Sequence, residues 1–76
     1  MMDEKKILNG ITLELHKRPK RLEVRGMIKI QDKEIWSTIP VNSREEFDDP
    51  PADMLKTIVM GCTNFYFRNY VNAKGR

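Results

Sequence analysis

The chain has 76 residues, 39% hydrophobic and 33% charged, with a formal net charge of +3, a composition that suits a folded domain and excludes a disordered tail. A single cysteine excludes an intramolecular disulfide, and no run approaches the roughly 18 apolar residues of a membrane span. These features lead us to expect one domain over residues 1–76, cytoplasmic, with no membrane partner.

The opening residues Met1-Met2-Asp3-Glu4-Lys5-Lys6 lack the apolar run of a signal peptide and read as a charged, frayed leader over residues 1–6. From Ile7 to His16, Ile11, Leu13 and Leu15 alternate with Thr12, Glu14 and His16, the period of a half-buried strand. Lys17-Arg18-Pro19-Lys20 marks a turn, with proline pre-setting φ. A second strand turns Leu22, Val24, Ile28 and Ile30 inward, and Arg21, Glu23, Arg25, Met27 and Lys29 outward. After a turn at Gln31–Glu34, a third strand from Ile35 to Val41 buries Ile35, Ile39 and Val41 and leaves Pro40 on an edge, where it is tolerated. The matching registers set Leu15 opposite Leu22, Ile11 opposite Gly26, Gly26 opposite Ile39 and Trp36 across from Lys29. Gly26 then leaves a hollow, to be filled by Phe65 or Tyr66.

Residues 42–50 form an acidic loop, in which Ser43-Arg44-Glu45-Glu46 has the pattern of a capping box for one short helical turn. The long helix runs over residues 50–72, with Asp49 as cap and Pro50 and Pro51 where a missing N–H is harmless. Residues 73–76 form a tail. At 100° per residue, Leu55, Ile58, Val59, Cys62, Phe65, Tyr66, Tyr70 and Ala73 share one face. The expected fold class is α+β: a three-stranded antiparallel meander packed on one long C-terminal α-helix.

Cys62 reads as a buried, inert thiol. The only histidine, His16, falls at the far hairpin, so the pair cannot supply nucleophile and base together. Glu45, Glu46, Asp48 and Asp49 lack the spacing of a dedicated calcium loop, and the few glycines never cluster as in a phosphate loop. No catalytic residue, metal site, cofactor or small-molecule substrate is expected, and hence no enzyme.

Two contact surfaces remain. Met60, Phe67 and Val71, spaced i, i+7, i+11, lie off the sheet-facing side of the helix, with Gly61 near the seam to permit close approach. They suggest an interaction protein, regulatory, adaptor or inhibitor in type, that forms a homodimer and binds a further, unidentified protein. The alternative is a nucleic-acid-binding domain using Lys17, Arg18, Lys20 and Arg21 in the basic hairpin. Arg25, Lys29 and Trp36 would extend it over the outer sheet. Charge is uneven: residues 42–53 hold one arginine against five carboxylates, whereas 54–76 hold four cations and no carboxylate.

Overall fold

Three tight turns divide the first 41 residues into four strands, where three were expected. The computed structural model describes residues 4–72. Strands β1 (Glu4–Leu8), β2 (Ile11–Lys17), β3 (Leu22–Ile30) and β4 (Lys33–Val41) form an antiparallel sheet in the order β1-β2-β3-β4. Helix α1 (Glu45–Asp48) and helix α2 (Ala52–Tyr66) follow, and a π-helical segment, Phe67–Val71, extends α2. The α+β class and the C-terminal helix are as expected. Met1–Asp3, together with Ala73 and the tail, lie outside the described residues.

The additional strand arises at Asn9-Gly10, whose φ values of 53° and 81° are the left-handed pair that a two-residue hairpin turn requires. Leu8 therefore pairs with Ile11, and Glu4 with Leu15. Half of the supposed leader is strand, and Ile7 moves to the outer face, 74% exposed. Gln31 and Asp32 make a second left-handed turn, with φ of 51° and 68°. Between β2 and β3, Arg18 and Arg21 exchange backbone hydrogen bonds of 2.8 and 3.4 Å around Pro19-Lys20.

Both expected registers are corrected by two residues. Leu15 faces Val24, Leu13 faces Gly26, Gly26 faces Ser37 and Val24 faces Ile39. An even shift leaves every side chain on its face, because side-chain direction has period two. Ile11, Leu13, Leu15, Val24, Ile35 and Val41 are thus buried, and Pro40 lies on edge strand β4.

The helix is rotated from its expected setting. Its buried residues are Met54, Ile58 and Cys62, with Leu55, Tyr66 and Tyr70 packed beside them. Ile58, rather than Phe65 or Tyr66, occupies the hollow above Gly26. Pro51 stands at the N-cap with no side-chain cap bond, so Asp49 does not cap α2. The Ser43 capping box is displaced as well: the Glu46 carboxylate accepts from the Asn42 backbone N–H at 2.9 Å, and no side chain caps α1.

Phe47 on α1 is buried to 3% exposure, a core residue without any periodic signal. Lys6 of β1 lies over its ring, 4.8 Å from the centroid, and donates to the Asp48 carbonyl at 2.9 Å. Arg44 binds the Glu4 carboxylate through both terminal nitrogens. Strand β1 and helix α1 are therefore latched to each other by charge-assisted bonds around one aromatic ring.

Candidate functional site

The C-terminal helix carries apolar side chains on more than its buried face. Met60 is 55% exposed, Phe67 50% and Val71 40%, and Phe65 (49%) and Val59 (37%) join them. The last two were expected to face the sheet. From Phe67 onward the backbone bonds i→i+5, as in Asn72 N–H to the Phe67 carbonyl at 2.7 Å, and this wider turn rotates each residue by less than the α-helical 100°. Within this segment the Asn69 side-chain amide donates to the Phe65 carbonyl at 2.9 Å, the acceptor that its own backbone N–H would use in an α-helix.

Gly61 has a different role from the one expected. A methyl group there would meet the Ser37 hydroxyl at 2.7 Å, so this glycine admits β4 rather than a partner at an outer seam. Tyr66 and Tyr70 stack with centroids 5.4 Å apart, and Lys33 lies 5.0 Å from the Tyr70 centroid. That cluster fastens the helix end to the β3–β4 turn.

The outer sheet face is the second surface. Register aligns Ile7, Thr12, Met27 and Trp36 in one row across all four strands, beside a row of Lys5, Glu14, Arg25 and Thr38. Trp36 thus faces Met27, not Lys29, and the Arg25 guanidinium lies 4.5 Å over its ring. Missing β1 hid Lys5 and Ile7 from the sequence; the Asn9-Gly10 pair was the signal that would have revealed them.

The structure brings Arg18 and Arg21 of the basic hairpin onto one carboxylate. Arg18 Nε donates to Glu23 at 3.2 Å and Arg21 Nη2 lies 2.7 Å from the other oxygen. Lys20 and Lys29 form no ion pair among the described residues, and Lys17, exposed at the end of β2, lies opposite Leu22 on the helix side of the sheet rather than on its outer face. Glu14 is met by His16 at 2.8 Å, Lys5 at 3.7 Å and Arg25 at 4.0 Å. The Arg18 hydrogen bond holds the Glu23 pKa below its ordinary 4.5, against the opposing effect of desolvation. The Arg44 bond lowers Glu4 in the same way. Carboxyls depressed by folding stabilise the protein above their unfolded pKa and lose that contribution as pH falls through the folded one. The thermal midpoint is therefore expected to fall on acidification below pH 4.5, and to fall less in a Glu4→Gln/Glu23→Gln variant, as followed by circular dichroism. Equal acid sensitivity in both proteins would contradict this role.

Cys62 is fully buried on the inner face, its thiol 3.3 Å from the Ile35 carbonyl, and burial pushes its pKa up. His16 lies on the other side of the sheet. In the acidic loop, Asp48 pairs with Arg44 at 3.3 Å and Glu46 with the backbone. Among the described residues, no three His, Cys, Asp or Glu side chains gather as a metal site, and no helix is long and apolar enough to cross a membrane. Family models, known proteins and solved structures give no match to this chain.

Proposed function

We propose that the protein is a non-catalytic interaction protein that pairs with a second copy of itself through the outer face of α2 and its π-helical extension. One observation carries this reading: among the described residues, five of the six large exposed apolar side chains lie on that single helical element. The sheet covers the opposite side, where Ile58 and Cys62 are fully buried. Burial of aligned apolar side chains against a twofold-related copy is the commonest way to remove such a stripe from water. A chain this short also gains from it, because a small core alone leaves little net stability. The opposed positions of Cys62 and His16 favour a binding role over a catalytic one.

Phe67, near the middle of the stripe, is the residue to test. Phe67→Glu would place a charge in the seam of each copy and remove no buried core residue, at the loss of one edge-on ring contact with Tyr66. For the unmodified protein we expect a thermal midpoint that rises with concentration through the micromolar range, since pairing stabilises the folded state by mass action. The variant should melt at one temperature at every concentration. Loss of helix signal in the variant at 20 °C would instead assign Phe67 to the fold.

A further inference from the structure

We infer that the outer sheet face, with the β2–β3 hairpin, binds single-stranded nucleic acid. The inference goes beyond helix pairing and stands independently of it, since the two surfaces lie on opposite sides of the sheet.

Charge is the first argument. The hairpin contributes Arg18, Lys20 and Arg21, and the sheet face adds Lys5, Arg25 and Lys29. Against these six cations stand three carboxylates, and two of the three are already engaged. Glu23 is held by Arg18 and Arg21, at 3.2 and 2.7 Å. Glu14 is held by His16, Lys5 and Arg25. Glu34 pairs in register with Lys29. With the three acids set against the six cations, the surface keeps an excess of three positive charges. The carboxylates of α1 and of the start of α2 follow β4 in the chain and belong to the helical layer.

The second argument is shape. Ile7, Met27 and Trp36 cross the face as a partly exposed apolar row, and the Arg25 guanidinium lies over Trp36, 4.5 Å from the ring centre. Aromatic rings and guanidinium groups are surfaces on which an unpaired base stacks, while flanking lysines take the phosphates. Bases inside a duplex present no free face to such a row, so the surface fits a single strand. Attraction of phosphate to Lys20 and Lys29 involves no rearrangement of the Glu23 cluster.

Trp36 is the only tryptophan, so its fluorescence reports this surface directly. The full chain is titrated with an unstructured oligothymidylate, a duplex of equal length and heparin. We expect saturable quenching by the single strand. With about three phosphates contacted, affinity should fall roughly twenty-fold between about 50 and about 200 mM salt. Replacing Lys20 and Lys29 by Ser should flatten that dependence, and Trp36→Leu, followed by anisotropy of a labelled strand, should weaken binding about ten-fold. Should Trp36→Leu fail to fold, Arg25→Gln gives the stacking test with the indole retained. Absence of quenching at low salt would overturn the inference. So would heparin or duplex binding as tightly as the single strand, which would leave only a general attraction to polyanions. Sedimentation reports on helix pairing alone, so failure of either proposal is distinguishable from failure of the other.

Discussion

Phe47→Ala is expected to cost about 3–5 kcal/mol, the usual loss when a buried aromatic ring is truncated, measured as a shift in urea midpoint with unchanged slope. The ring is 3% exposed on a helix of only four residues, which cannot hold itself together without tertiary support. It also anchors Lys6, which lies over the ring and bonds the Asp48 carbonyl. Removal should therefore release α1 and β1 together, and amide protons of Glu4–Leu8 should exchange faster than those of β3. A loss below about 1 kcal/mol, with β1 still protected, would mean that the latch rests on its charge-assisted bonds rather than on the ring.

The second large effect is expected at Gly26. A methyl group there would lie 2.5 Å from Ile58 Cγ2 and 3.4 Å from Ile58 Cβ. The branch at Cβ makes this side chain stiff, so it cannot yield by rotating a flexible tip. Ile58 is itself fully buried. Gly26→Val must lift the helix from the sheet or distort β3, at a cost of about 3 kcal/mol by overpacking. Gly26→Ala should show a smaller loss in the same direction. Thermal stability equal to or above that of the unmodified protein would contradict the placement of α2 over Gly26.

What the sequence revealed depended on which features carry a period. Inner and outer faces of β2, β3 and β4 were legible, because Leu13, Leu15, Val24, Ile35 and Val41 alternate strictly, and a two-residue register error does not disturb that alternation. Strand β1 was lost because Lys5 and Lys6 resemble a solvated leader. Charged residues on an edge strand look the same in sequence whether they guard an edge or fray. Asn9-Gly10 was the decisive local signal, outweighed by the apolar alternation that continues beyond it. Phe47 lies in an element too short to have a period. The helix was legible as an element but not in its rotation: Val59, Phe65 and Met60 are all apolar, so hydropathy alone could not decide which of them meets the sheet. The π-helical widening over Phe67–Val71 falls outside any 100° projection. Met60, Phe67 and Val71 are exposed, whereas Gly61, expected at an outer seam, admits Ser37 of β4.

Sedimentation of the unmodified protein at micromolar concentration and moderate salt tests helix-mediated pairing most directly. The chain has a mass of 9.0 kDa. Pairing through α2 predicts a species of twice that mass at high concentration, dissociating on dilution and reduced to 9.0 kDa by Phe67→Glu. A single 9.0 kDa species at every concentration would contradict it.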